Sequence, residues 1–392
     1  MARQATQRTA ELLAAVDALA PVVEAERAAL ARGPDLPPPV VDALRRSGVL
    51  KLWLPADLGG AELPPADYIR VIEAVARIDG AVGWCAAIAS SGGRIAGALD
   101  EDAAREIFSD GNAVAGSVNP LGTAVPDAGG YRVRGRWPYG SFVRHSSYTL
   151  GMCLVRDGDA PRRSADGAPV VCAALVPTAS VRIHGTWDAG GLRATGSHDF
   201  EIADAFVPER HTILLQGFSM PPRRTGPLFA LPLVTAFTLA ITPVPLGIAR
   251  AAIDAFVELA GAKTAMGAGA PLREHPGVQG DVARAEAALR SARALLFEAV
   301  EDTWATASAG APLSLQQRAL VRLACGNAAT AARHAVELMY AAAGGTAAYE
   351  RAPFARCLRD VHAACQHMAF SPRTMEAAGR VFLGLDPGTP RF

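Results

Sequence analysis

Apolar residues recur at helical spacing through Leu12, Leu13, Val16, Leu19 and Val23, and again through Ile69, Ile72, Val75, Ala76 and Trp84, so residues 5 to 110 read as helices. Prolines and glycines break the pattern at Pro34 to Pro39 and at Leu58-Gly59-Gly60. From about Ala113 the period changes. Runs such as Tyr131-Arg132-Val133-Arg134-Gly135 and Ser147-Tyr148-Thr149-Leu150-Gly151-Met152 alternate or are β-rich between Gly and Pro, predicting a β domain that ends near Phe206-Val207-Pro208. A connector from Gly217 to Pro227 leads back to helical spacing through Leu231, Val234, Thr238 and Ile241 and from Ala283 to Val300, with Pro232 and Pro243 interrupting the first stretch. Ser371 as N-cap and Pro372 at the first helical position mark the start of the last helix. Helices, then strands, then helices predict an α+β protein: an α-helical domain over 1–112, a β domain over 113–216 and a helical bundle over 217–392.

Half of the 392 residues are hydrophobic, enough to bury a large core. The formal net charge is zero, which gives no basic stripe for nucleic acid and no attraction to an anionic membrane. The N-terminus is polar and of mixed charge, and no run reads as the roughly 18 apolar residues of a membrane span, so a cytoplasmic protein without a membrane segment is expected. The six cysteines form no Cys-x-x-Cys pair. Cys365 lies between His362 and His367, but a single such cluster does not make a metal site, and none is predicted. No Gly-x-Gly-x-x-Gly follows a strand, so reduction of a cofactor by NAD(P)H within this chain is not expected.

Three segments carry the candidate chemistry: Trp137-Pro138-Tyr139-Gly140-Ser141, Gly191-Leu192-Arg193-Ala194-Thr195-Gly196-Ser197, and the run from Arg359-Asp360 through His367-Met368 to Ser371-Pro372. Together they resemble the acyl-CoA dehydrogenase superfamily. That resemblance implies an N-terminal α-helical domain, a middle β-barrel or sandwich domain and a C-terminal four-helix bundle, assembled as a homotetramer, with a flavin between the helices and the β domain.

The dehydrogenases of that superfamily need a Glu to remove the proton alpha to a thioester. The two positions where it would stand fall here at about Met368 and near Phe237, and neither side chain can take a proton. The chain instead resembles the flavin-dependent monooxygenase branch, the oxygenase components of two-component aromatic hydroxylases. The implied function is hydroxylation of an aromatic or heteroaromatic, phenol- or indole-like substrate through a flavin hydroperoxide. O2 is the co-substrate, and reduced FMN or FADH2 comes from a separate reductase. The alternatives are an amine N-oxygenase of the same fold or an acyl-CoA dehydrogenase with a relocated base.

Carried onto this sequence, the resemblance puts Trp137, Tyr139, Gly140 and Ser141 against the isoalloxazine and makes Thr195 and Ser197 donors to the flavin. It leaves Gly344 and Gly345 near the cofactor across an interface. Ser117 or Asn119 would hold the substrate, beside Phe237 and Met368. His367, aimed inward by a kink before Ser371-Pro372, would orient or deprotonate the substrate, since a neutral imidazole can take a proton near neutral pH. Arg193 could meet a phosphate. In the region Ala89-Ser90-Ser91-Gly92-Gly93-Arg94 no His is present, which removes one polar anchor seen in relatives acting on simple phenols. At Lys263-Thr264-Ala265-Met266-Gly267 the Arg-x-x-Phe-Gly element of FAD-bound dehydrogenases is missing, which favours a diffusible reduced flavin.

Overall fold

The computed structural model describes residues 2–216, 218–264 and 269–392. Helices fill the chain as far as a 3-10 turn at Ser109–Gly111. The innermost is Gly80–Gly92, buried along most of its length because Ala, Gly and Cys keep it thin enough to pack on every side. Its start is fixed by Asp79, whose Oδ1 accepts from the amides of Ala81 at 2.9 Å and Val82 at 3.2 Å.

Eight strands follow: β1 (Val114–Asp127), β2 (Gly130–Gly140), β3 (Tyr148–Asp157), β4 (Ala160–Pro161), β5 (Val170–Pro177), β6 (Arg182–Ile183), β7 (His198–Pro208) and β8 (Thr212–Gln216). They pair in the order β6-β7-β2-β1-β3-β5-β8, with β4 on β3; β1 and β3 run parallel and the other pairs antiparallel. The pairing does not close, so the barrel or sandwich expected from the sequence is one open sheet. Both faces are nevertheless covered. Leu150, Met152, Val171, Ala173 and Leu175 pack towards Ala96, Ala103 and Ile107 of the N-terminal helices. The alternate residues Cys153, Val155, Cys172, Ala174 and Val176 form a second core with Trp137, Phe200 and Ile202. Period-two alternation with both sets apolar is what a sheet buried on two sides requires.

Helices resume at Pro227–Ala230 and continue as Leu233–Ile241, Pro243–Ala262, Pro276–Ser308, Leu315–Ala343, Phe354–Cys365 and Pro372–Phe382. Pro232 and Pro243 punctuate rather than destroy these helices: one is an N-cap and the other opens a first turn, where no amide donor is needed. Contrary to the sequence reading, the stretch Leu233–Ala262 is long and apolar enough to cross a membrane, but 83% of its most apolar window is buried inside the protein, as in a core helix. Ser371 sits at the N-cap of the last helix in extended conformation, yet its hydroxyl faces Thr374 Oγ1 at 3.4 Å instead of capping a backbone amide. Lys263 Nζ donates to the Ala343 carbonyl at 3.0 Å and to Thr346 Oγ1 at 2.7 Å; Met266 and Gly267 lie outside the described residues. Arg293 on the longest helix ties it to the N-terminal domain through Glu73 at 2.9 Å.

Candidate active site

A cavity of about 550 Å3 opens where the helix Gly80–Gly92, the sheet and the C-terminal helices meet. Ser117 and Asn119 line it from β1, Tyr139 and Ser141 from the end of β2, and Thr195 and Ser197 from the loop before β7. Phe237, His367 and Met368 close it from the C-terminal domain. Nine residues singled out in the sequence therefore meet in one place, brought there from five separate stretches of chain. A second cleft continues from the first through Phe237, His367 and Met368 and carries Arg322, Arg373, Arg380 and Arg391.

The hydroxyls form a chain of fixed direction. Trp84 Nε1 donates to Ser141 Oγ at 3.0 Å, and Thr195 Oγ1 donates to the Leu192 carbonyl at 2.8 Å. Between these ends, Ser141 and Ser197 lie 2.7 Å apart and Ser197 and Thr195 also 2.7 Å apart. A hydroxyl has one proton and two lone pairs. Thr195 has given its proton to Leu192, so Ser197 donates to Thr195 and Ser141 donates to Ser197. Each hydroxyl keeps one lone pair and no free proton. Sequence reading expected donors here; the network makes these groups acceptors.

His367 follows the end of the helix Phe354–Cys365 and precedes a 3-10 turn over Met368–Phe370, so the expected break in the helix is present. Its ring lies among aromatics, 5.8 Å from Trp84, 5.5 Å from Phe237 and 6.3 Å from Phe370 between centroids. Burial among them pushes its pKa down to about 4, because the imidazolium loses hydration with no carboxylate to replace it. Nδ1 accepts from the Ala369 amide at 3.1 Å. The neutral ring therefore carries its proton on Nε2 and presents a donor.

The loop before β7 is held from below. Leu192 adopts a left-handed conformation, φ 49°, and its amide donates to Asp360 Oδ1 at 2.7 Å. Burial and the nearby charge of Asp79 push the Asp360 carboxyl up, against the pull of Arg356 and Arg359. Gly191 is needed for close approach: a β-carbon there would collide with the Arg359 carbonyl. The Arg359-Asp360 pair thus braces this wall of the cavity.

Other predicted residues are elsewhere. Trp137 is wholly buried in the sheet core, stacked on Phe200 at 5.2 Å, with Nε1 donating to the carbonyls of Met152 at 2.9 Å and Asn119 at 3.1 Å. Gly140 packs against Phe200, and Gly344 and Gly345 stand at the far end of the helix Leu315–Ala343; none of the three lines the cavity. Arg193 pairs with Asp188 at 3.1 Å. His362 pairs with Glu337 at 3.0 Å, and Cys365 Sγ donates to the Ala329 carbonyl, so they do not converge with His367 on a metal.

The structure also adds residues that the sequence did not flag as site residues. Trp187 meets Tyr139 edge-on at 6.4 Å and 85°, its Nε1 held by the Arg193 carbonyl at 2.9 Å. Trp53 and Arg94 line the inner wall. The one sequence signal for Arg94 was a charge in the otherwise small and apolar run from Ala86 to Ala98; nothing marked Trp53. Among the described residues, no Asp or Glu lines the cavity. The set fits a flavin ring: an edge-on aromatic pair at one side, Phe237 at another, and hydroxyl lone pairs placed for the N–H groups of a reduced heteroaromatic.

A cavity between sheet and bundle that carries imidazole and hydroxyls and, among the described residues, no carboxylate fits a flavin oxygenase better than a thioester dehydrogenase. Comparison with known proteins agrees. Residues 4–102 match the acyl-CoA dehydrogenase N-terminal domain and residues 239–372 its C-terminal domain. The chain is similar to indole-3-acetate monooxygenase of Pseudomonas putida, 35% identical over 89% of this chain and 87% of the relative. It is also similar to the oxygenase subunit HsaA, a flavin-dependent monooxygenase of Mycobacterium tuberculosis, 29% identical over 97% and 98% of the two chains. XiaF from Streptomyces, solved with FADH2 and glycerol, superposes with a TM-score of 0.90 at 26% identity over 99% and 98%. The chain belongs to the acyl-CoA dehydrogenase superfamily and, within it, to the flavin-dependent monooxygenases.

Proposed function

We propose that this protein is the oxygenase component of a two-component system that hydroxylates an aromatic or heteroaromatic ring of the phenol or indole type, using reduced FMN or FADH2 delivered by a separate reductase. The observation that carries the reading is a cavity with His367 at its wall and no Asp or Glu among the described residues lining it. A relocated dehydrogenase base would have to stand there. The chemistry a reduced flavin supplies in such a cavity is two-electron activation of dioxygen.

The chain's own residues do the rest. Phe237, Trp84 and Leu192 exclude water, which protects a reactive oxidant from wasteful decay. Ser141, Ser197 and Thr195 accept hydrogen bonds from the ring bound beside them. His367 orients the substrate by donating from Nε2; with Nδ1 already occupied and the imidazolium disfavoured, proton removal is not its part. Ser117 and Asn119 line the same wall and can hold a substrate heteroatom; the Asn119 amide donates to Ser117 Oγ at 3.3 Å, while its Oδ1 accepts from Arg391 at 3.2 Å.

A homotetramer is part of the reading. The exposed apolar side chains Phe382, Leu383 and Leu385 near the C-terminus support association through the helical bundle, and the mass in solution tests it. For the chemistry, His367→Ala is compared with wild type under supplied reduced flavin and oxygen. The variant should consume oxygen but release most of it as hydrogen peroxide, with product per oxygen falling about tenfold or more. Full coupling in the variant would remove His367 from the reaction, and no hydroxylated product from any arene with wild type would remove the reading itself.

A further inference from the structure

One cationic side chain in the cavity has no anionic partner. Arg94 follows the helix Gly80–Gly92 and is 4% exposed. Its Nε donates to the Leu228 carbonyl at 2.9 Å, and Nη2 donates to the carbonyls of Phe229 at 3.1 Å and Leu231. These bonds fix the plane of the guanidinium. Nη1 has no hydrogen-bond partner among the described residues, and no carboxylate of those residues lies within ion-pair distance. Burial lowers the pKa only to about 10, so the group stays charged at neutral pH.

Carbonyl dipoles soften the isolation of such a charge without neutralising it, and an unpaired buried cation is costly. A second donor without an acceptor, more deeply buried, belongs to a residue of the same lining. Trp53 is wholly buried and stacked on Tyr68 at 4.1 Å, and its Nε1 has no acceptor. Both residues line the cavity that holds His367. A guanidinium edge left without an acceptor in a largely apolar cavity is complementary to a carboxylate, which brings acceptors and a negative charge together.

We propose that Arg94 forms an anion subsite that selects aromatic substrates bearing a carboxylate side chain over neutral arenes. The inference rests on the hydroxylase reading and deepens it by naming the substrate class. It also accounts for the region that lacks a histidine: the polar anchor there is a cation, suited to an acid and not to a phenol. The competing structural role, a clamp on the Pro227–Leu231 segment, uses Nε and Nη2 but leaves Nη1 unexplained.

The test is calorimetric binding of indole-3-acetate and of its neutral isostere indole-3-acetamide to the full-length protein, with no turnover involved. Wild type should prefer the acid by about tenfold or more, the effect of one charge-assisted pair. In Arg94→Gln, the acid should lose about 30-fold while the amide changes less than about threefold; Arg94→Lys, which keeps the charge but not the fork, should cost the acid about three- to tenfold. Equal binding of acid and amide to wild type, or equal losses of both in Arg94→Gln, would overturn the subsite. If Arg94→Gln fails to fold, the wild-type comparison and Arg94→Lys still decide. Hydroxylation of neutral arenes with no preference for acids would sink this inference alone; acid-selective binding without any oxygenation would sink the functional reading alone.

Discussion

Trp84 Nε1 donates to Ser141 Oγ at 3.0 Å, joining the central helix of the N-terminal domain to the end of β2 across the top of the cavity. The direction of every hydroxyl bond is set at the other end: the Leu192 carbonyl can only accept, so Thr195 donates to it, Ser197 to Thr195 and Ser141 to Ser197, and the Trp84 N–H meets a lone pair of Ser141. The Leu192 carbonyl thereby decides that the cavity wall offers lone pairs, and the Trp84 N–H takes up one of them.

Ser141→Ala should expose that dependence. The Trp84 N–H would be left buried without an acceptor, a loss of about 1–3 kcal/mol that a urea melt would read. Trp84→Phe removes the donor and leaves Ser141 its bond to Ser197, so it should cost less from hydrogen bonding, with a packing loss added. Reduced flavin carries an N–H where oxidised flavin has a bare nitrogen. Wild type should therefore hold the reduced form more tightly, and Ser141→Ala should narrow the difference. Equal affinity of wild type for both redox forms would rule out the lone-pair account.

His367 should not titrate in the range usual for histidine. Its folded pKa near 4 lies below the ordinary 6.5, so the folded chain binds this proton less readily than the unfolded one. Its contribution to stability is full above about pH 6.5 and is lost as pH falls towards 4. The ring is neutral throughout the range from pH 5.5 to 8, and no limb of the rate profile near 6.5 should belong to it. A limb at 6.5 that disappears in His367→Gln would show a solvated imidazole and contradict the buried one.

Much of this site was legible in the sequence, for identifiable reasons. Phe237 and Met368 were found because they stand where a carboxylate is missing, and His367 because a proline four residues on from Met368 breaks the helix. Trp137 was misplaced by the sheet. The register against β7 shifts between Trp137 and Gly140, and Tyr139 between them takes φ 64°, so Tyr139 turns to the cavity while Trp137 stays in the core. A motif gives residues in order but not the bulge that sorts them to opposite faces. Trp53 and Arg94 are 41 positions apart in a helical region, and the bonds that fix Arg94 come from the distant Leu228–Leu231 segment. The direction of hydroxyl bonds was likewise invisible, since it depends on which acceptor ends the chain.

Asp360 gives a pH-dependent prediction of opposite sign. An acid whose folded pKa is raised favours its protonated form in the fold, so its stability contribution is full below about 3.8 and is lost as pH rises through the raised value. Asp360→Asn keeps an acceptor for Leu192 and removes the charge. It should match or exceed wild-type stability at pH 8, with the advantage shrinking near pH 4. Asp360→Ala removes the acceptor and should lose about 1–3 kcal/mol at both. Marked destabilisation by Asn at pH 8 would mean that Arg356 and Arg359 hold the carboxylate ionised.

The adjacent glycines of the loop before β7 make a controlled pair. At Gly191 a β-carbon collides with the Arg359 carbonyl and comes within 3.0 Å of Ala363 Cβ; at Gly190 it meets nothing within 4 Å. Gly191→Ala must push the loop off the helix Phe354–Cys365, and the first bond to suffer is the one from the Leu192 amide to Asp360 at 2.7 Å. Overpacking of this kind costs about 1–3 kcal/mol, whereas Gly190→Ala should stay within about 0.5 kcal/mol of wild type. Because Leu192 and Thr195 form part of the cavity wall, Gly191→Ala should also weaken binding of reduced flavin while Gly190→Ala leaves it unchanged. If both variants bound flavin as wild type does, the brace from Asp360 would be a feature of folding alone and not of the site.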